Sequence, residues 1–431
     1  MKLFKSLLLA PVTLGLLAPV AANATEINLD EVSNYSDVDS IDFANSFDNE
    51  KSIEGTLIAG GEGLGKRHSH DGGFSETTTL SGSANFQMGA VEESTVTEAV
   101  TATYAYDLDL NTSFTGEDNL YVGIEAGNGP SIINTYGGYF ATESSNSQGD
   151  TLNVDSLYYS FPAGEYEIAV GPKLDADDLM PTTTSKYSDE FFFGSRPSLE
   201  SNYWAKQGTG TGIAIARYFD NGWNASGSII ATGGSTASGV LTKEGMDVYT
   251  LSLGYDGDKF GGGIIYQNSD SICNALDSVF AATLCNSLQV SAAIDEGYTS
   301  TTLGAYYSPN DKTTLSATSS FIAGEVKGVT VDTISDFQLA VDHEIGNGTL
   351  SASWKTQPFF KLTDSTTLKS DDLGSYFELY YTYNINDSMT ITPGFAFTMP
   401  SSDLASTTAT SDVDTYLIDR TTVGVEATFK F

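Results

Sequence analysis

The residue types able to hold a nucleotide or a metal ion gather before position 72 of this 431-residue chain. Gly60-Gly61-Glu62-Gly63-Leu64-Gly65-Lys66 approaches a phosphate-binding loop, in which backbone N–H groups cradle phosphates and a lysine reaches them. The pattern breaks at Arg67, which stands where a Ser or Thr would hold magnesium, and no strong strand precedes the run. His68-Ser69-His70-Asp71 offers metal-ligand types that could hold an ion loosely, but it reads as a solvated tail. No metal and no cofactor are expected. Acid–base or nucleophilic catalysis needs a nucleophile with a base beside it. The three histidines are His68, His70 and His343, the last on an outward row beside a turn, so no enzyme is expected. Cys273 and Cys285 lie 12 positions apart in a Ser/Asn/Asp/Ala-rich stretch, with neither C-x-x-C spacing nor a nearby His. In an oxidising compartment such a pair closes its own loop as a disulfide.

The address agrees with oxidation. Lys2 and Lys5, an apolar run from Leu7 to Leu17 and Ala22-Asn23-Ala24 predict a cleaved secretion signal over 1–24. The whole chain carries 19 basic and 56 acidic residues, a formal charge of −37. Loss of two lysines takes the balance to 17 against 56, or −39. An excess of acid this large excludes a nucleic-acid partner, whose binding surface must be basic. No later stretch approaches eighteen apolar residues, so no membrane-spanning helix is expected. Aromatic content of 11% is too high for a chain that does not fold. Residues 25–77 are acidic at first and Gly-rich at the end, and read as a periplasmic arm.

The elements that must position any chemistry lie over 78–431. Runs of about ten residues alternate apolar with small or polar side chains, the period-2 mark of a two-faced strand. In the last run, Val423, Val425, Ala427, Phe429 and Phe431 alternate with Thr422, Gly424, Glu426, Thr428 and Lys430. Tight connections at 114–118, 161–164, 220–222, 256–258, 308–311, 346–348 and 384–387 join seven pairs of runs. One run before the first pair (79–91) and one after the last (420–431) bring the count to sixteen. Long Ser/Thr/Asn/Asp-rich connections separate the pairs. An even strand number, short turns alternating with long loops, and aromatics at strand ends predict an all-β fold, a sixteen-stranded antiparallel outer-membrane barrel. The sheet has to close, because hydrocarbon offers no partner to a free edge. A secreted β-rich surface or adhesin protein would alternate too, but its strands would be shorter and a terminal aromatic strand would be unexplained.

The phase of the alternation places Asp107, Asp109, Glu125, Glu165, Glu167, Asp342, Glu344, Glu378 and Glu426 inside, with Lys355, Lys430 and Arg217. Such a lumen concentrates cations. The longest connection, 175–208, follows the fifth strand and carries Asp177, Asp178, Lys186, Asp189, Glu190, Phe191, Phe192, Phe193, Arg196, Glu200, Trp204 and Lys206. Its aromatics are costly to leave in water, so the segment is expected to fold into the lumen as a constriction.

Leu110-Asn111-Thr112-Ser113-Phe114-Thr115-Gly116-Glu117-Asp118 with Ala126-Gly127-Asn128 resembles the start of the barrel in cyanobacterial porins of the carbohydrate-selective OprB family. Leu157-Tyr158-Tyr159-Ser160-Phe161-Pro162 and Val170-Gly171-Pro172, followed by Asp177-Asp178-Leu179, resemble that family's next hairpin. The resemblance implies passive diffusion of small hydrophilic solutes and ions, or a sugar-selective channel. It further implies residence in outer-membrane lipid and lipopolysaccharide, a homotrimer, and delivery by the barrel assembly machinery, which reads a terminal aromatic strand such as Phe429 and Phe431. Family members carry an S-layer-homology domain before the barrel. Only Val32-Ser33-Asn34-Tyr35-Ser36-Asp37-Val38 resembles its beginning here.

Overall fold

A computed structural model describes residues 77–93, 100–128, 151–187, 208–237, 239–242, 247–270, 295–326, 329–364, 367–399 and 420–431. The chain divides into Met1–Asp71 and Gly72–Phe431, and all described residues belong to the second unit. The Gly-rich run, His68, His70, Asp71, Cys273 and Cys285 therefore lie outside the described residues, with the disulfide expected of the last two.

The second unit contains strands β1 (Thr78–Glu93), β2 (Val100–Thr112), β3 (Asn119–Gly127) and β4 (Asn153–Ala163). They are followed by β5 (Tyr166–Asp175), β6 (Thr209–Tyr218), β7 (Trp223–Ala231) and β8 (Asp247–Asp256). Next come β9 (Phe260–Ser269), β10 (Asp295–Asn310), β11 (Thr313–Val326) and β12 (Val329–Ile345). The last four are β13 (Gly348–Asp364), β14 (Thr367–Asn386), β15 (Met389–Met399) and β16 (Arg420–Lys430). Each strand pairs antiparallel with its neighbours in sequence, and β1 pairs with β16 from Ser83↔Lys430 to Glu93↔Arg420, closing the barrel.

The side-chain distribution is inverted relative to a water-soluble protein. On β8, Tyr249, Leu251 and Leu253 are exposed, Leu251 by 62%, whereas Thr250 between them is 2% exposed and Ser252 is also buried. Neighbouring strands repeat the pattern, with Ile264, Leu303, Leu315 and Leu339 outside and Gln267, Thr302, Thr318 and Gln338 inside. An apolar surface that encircles the molecule is far larger than water tolerates on a monomer, and it fits the hydrocarbon core of a bilayer. Around the short-turn end, Phe114, Tyr166, Trp223, Phe260 and Tyr307 are exposed. Ring contacts link Phe114 to Tyr159 (6.4 Å), Tyr159 to Phe161 (5.6 Å) and Tyr255 to both Trp223 and Phe260 (5.6 Å each). These aromatic rings, the Tyr and Trp among them with a polar edge, form one interfacial girdle.

Two hairpins depart from the expected lengths. Strands β12 and β13 have 17 residues each and β14 has 20, about twice the 9–11 that cross a bilayer. Where long polar loops were expected, only 327–328 separate β11 from β12 and only 365–366 separate β13 from β14. The sequence there, Val329-Thr330-Val331-Asp332-Thr333 and Thr367-Leu368, keeps the β-branched and apolar alternation that favours a pleated ladder. Polarity alone did not end the strand.

The short turns are fixed by local chemistry. Between β12 and β13, Gly346 adopts φ +64°, a left-handed conformation that glycine reaches without strain. Between β2 and β3, Asp118 Oδ1 accepts hydrogen bonds from Ser113 Oγ (2.8 Å), Phe114 N (3.0 Å), Thr115 N (2.7 Å) and Thr115 Oγ1 (2.7 Å). Its Oδ2 accepts from Tyr159 Oη on β4 (2.6 Å). The Tyr159 hydroxyl above all, with the Thr115 and Ser113 donors, holds the Asp118 carboxyl well below the usual carboxylate range. Its contribution is complete above the unfolded value near 3.9 and falls away as pH drops toward the lower folded value. Asp118→Asn should therefore lower the thermal unfolding temperature of detergent-solubilised barrel at pH 7. The gap from wild type should narrow as pH falls below about 4. Equal unfolding temperatures at pH 7 would show that the turn does not depend on this charge.

Candidate lumen and constriction

Cross-strand register assigns the inner rows. Gln87 on β1 is buried, and its partners in register are Thr103 on β2 and Glu426 on β16, whose Oε2 accepts from Gln87 Nε2. The same row carries Asp107, paired with Ser83 and with Glu125, and Asp109, paired with Ser81. Ser83 Oγ donates to Asp107 (3.1 Å) and Tyr121 Oη to Asp109 (2.6 Å). Glu167 lies opposite Pro162 and Ala216 on the inner row of β5. Across the barrel, Asp342 accepts from Ser351 Oγ (2.5 Å) and Glu344 continues its row to the short-turn rim. Lys430 is on the inner row of β16 at the same rim. Lys355 on β13 and Glu378 on β14 are each 0% exposed, on strands whose register pairs Ser353 with Glu378 and Lys355 with Tyr376. The two opposite charges are diagonal neighbours on the wall, which makes their joint burial tolerable.

Arg217 and Glu165 require correction. Ile213 and Ile215 on β6 are exposed to the outside, and Arg217 continues their row rather than that of buried Ala214 and Ala216. The guanidinium sits over the rings of Tyr166 (5.2 Å) and Phe219 (4.6 Å) and bonds to Glu165 in the adjacent turn. An arginine at the headgroup level snorkels toward water while its stem lies on aromatic surface. Neither charge lines the lumen. Eight of the named acids and two of the named bases remain on the inner rows.

The chain after β5 runs inside the barrel. Ser228 Oγ of β7 donates to Ala176 O (3.1 Å), and Asp178 Oδ2 accepts from Asp175 N (2.7 Å), with Asp177 in the same turn. Thr182 is buried, its Oγ1 bonded to Asn224 Oδ1 of β7 (2.9 Å) and Ser252 Oγ of β8 (2.7 Å). Lys186 N donates to Ser316 Oγ of β11 (3.1 Å). Lys186 Nζ lies 3.2 Å from Asp256 Oδ1 and 4.2 Å from the ring centroid of Tyr306. Tyr187 then reaches β14, donating to Glu378 and meeting the ring of Tyr380 edge-on at 6.2 Å. Residues 176–187 thus cross the inner faces of β7 to β11 and touch the wall at β14. Asp189, Glu190, Phe191, Phe192, Phe193, Arg196, Glu200, Trp204 and Lys206 lie outside the described residues.

Sequence reasoning missed Tyr187, because an isolated tyrosine beside a Phe-rich run gives no sign of a partner 191 residues away. It also missed the inner-wall glycines, which add nothing to an alternation read from side chains.

A closed sixteen-stranded antiparallel barrel, apolar outside, polar inside, with the segment after its fifth strand drawn inward, has the architecture of a porin. No protein-family model and no curated protein matches the sequence. Solved structures give the particular likenesses. The anion-selective porin of Comamonas acidovorans superposes with a TM-score of 0.54 at 14% identity, covering 82% of this chain and 99% of that one. OprB of Pseudomonas putida superposes with a TM-score of 0.55 at 9% identity, covering 82% and 94%. These likenesses are of fold. Both neighbours are porins, channels rather than enzymes.

Proposed function

We propose that this chain is an outer-membrane porin, passing small hydrophilic solutes and ions through an acid-lined, cation-favouring lumen. The observation that carries the reading is the inverted barrel with residues 176–187 seated against its inner wall. A barrel of this strand number is too wide for its own side chains to fill. Export by the 1–24 signal, assembly by the barrel machinery, a homotrimer and contact with lipopolysaccharide belong to the same reading.

Selectivity follows from the sign of the wall rather than from resemblance to an anion-selective neighbour. Asp107, Asp109, Glu125 and Glu167 share the inner face of β2, β3 and β5, and raise the local cation concentration. Reversal potentials in a KCl gradient across a planar bilayer should show K⁺ preferred over Cl⁻. The preference should fade between 0.1 M and 1 M salt, as the screening length falls from about 10 Å to about 3 Å. Anion preference at neutral pH would overturn this reading.

One observation favours a sugar-selective channel as the second reading. Tyr121 and Tyr158 face the lumen with ring centroids 5.1 Å apart, beside Asp109, an aromatic and carboxylate pairing suited to a pyranose. Concentration-dependent block of KCl current by a hexose or maltodextrin would establish it, and no block would leave the general porin.

A further inference from the structure

We propose that Gly254, Gly263 and Gly304 form a recessed lane in the barrel wall that seats the 182–184 segment and thereby sets the width of the pore. The inference rests on the porin reading above. The three glycines are direct register partners across β8, β9 and β10, with Gly254 opposite Gly263 and Gly263 opposite Gly304. Glycine weakens a strand interior and supplies nothing to pack, so three in one row call for a reason. Backbone conformation is not that reason, since none of the three has a left-handed φ.

Close approach is. A Cβ at Gly304 would lie 2.1 Å from Thr184 O and 2.7 Å from Thr184 Cβ. One at Gly263 would lie 2.3 Å from Thr182 Cγ2, and one at Gly254 would lie 3.0 Å from that same methyl and 2.6 Å from Asn224 Oδ1. Asn224 is also the register partner of Gly254 and accepts the Thr182 hydroxyl bond, so polar anchor and floor belong to one row. Thr182 and Thr184 are both buried in this lane. The lane lies low in the barrel, since Gly254 is two residues from the short-turn end of β8.

The wall is bonded along both edges of each strand, whereas the segment is held on this lane by side-chain bonds. When a methyl is added to the floor, the segment is what yields, and it yields toward the barrel axis. A larger residue in the lane should therefore narrow the pore, opposite in sign to removing the loop. Gly263→Ala and Gly304→Ala should each lower single-channel conductance in KCl and shift the polymer-exclusion cutoff to smaller sizes. Gly227→Ala, on the lipid face of β7, should not.

The pairing gives an internal test. Gly263→Ala clashes with the Thr182 methyl, so Thr182→Ser, which deletes that methyl and keeps the hydroxyl, should restore conductance to Gly263→Ala. It should not restore Gly304→Ala, whose clash is with the Thr184 backbone carbonyl. If the Gly304 variant fails to assemble, the Gly263 pair still decides, because its severe clash is with a side-chain end, the Leu253 carbonyl oxygen standing farther off at 3.0 Å. Unchanged or raised conductance in Gly263→Ala, or no rescue by Thr182→Ser, overturns the lane. A wild-type protein that forms no channels overturns the porin reading instead.

Discussion

Removal of Phe429–Phe431 should leave a precursor that is exported yet never assembles, recovered as protease-sensitive material instead of a heat-modifiable band on gels. The seam depends on these residues. Gly82 N donates to Phe431 O (2.9 Å) and Phe431 N returns a bond to Gly82 O (3.1 Å). Ser83↔Lys430 and Ala84↔Phe429 are the next two pairs of the β1–β16 ladder. Ring contacts reinforce it, Phe86 with Phe429 at 5.3 Å and Tyr106 with Phe431 at 6.0 Å, each worth about 0.5–1.5 kcal/mol beyond burial. Without the last three residues, backbone groups at the edge of β1 would face lipid with no partner. Each such group costs several kcal/mol. Normal insertion of the shortened chain would argue against seam closure by β16, and against the barrel with it.

The second large effect concerns the loop. Deleting 188–198 should raise single-channel conductance and the solute size cutoff while the barrel still assembles, because β5 ends at Asp175 and β6 begins at Thr209, outside the deleted stretch. Residues 176–187 already lie on the inner wall from β7 to β11 and meet β14. Arg196→Ala should leave conductance similar and move selectivity further toward cations. Were conductance and sieving the same after the deletion, the narrowing would have to reside elsewhere and the proposed constriction would fail.

Strand number, closure and the two faces were legible because period-2 alternation is imposed by the pleat itself and by lipid outside. Arg217 shows the cost of a one-residue error of phase. The phase read from the sequence put it inside, yet it shares parity with Ile213 and Ile215, which are exposed, so the register of β6 turns it outward. The extended β12–β14 hairpins were not legible, since a polar stretch can continue a ladder beyond the membrane as readily as it can leave it. Segment seating was hidden for a different reason. Thr182 meets Ser252 at a separation of 70 residues and Lys186 meets Ser316 at 130, and no local pattern carries such a pairing.

Those separations also order the events of folding. Contacts distant in sequence form late, since loop-closure entropy must be offset before they contribute. Thr182 has no seat until β7 and β8 stand side by side. Lys186 waits for β11, and Tyr187 waits for Glu378 on β14, the most distant of its anchors. The β1–β16 seam is more distant still, Gln87 and Glu426 lying 339 residues apart, so the segment is seated before the wall is sealed. A barrel halted before sealing has two strand edges that hydrocarbon cannot satisfy, so it cannot rest in the bilayer as an open, unsieved pore. Aperture becomes a property of completion: the membrane acquires its hole only when the final strand arrives, with the described part of the constriction already in place.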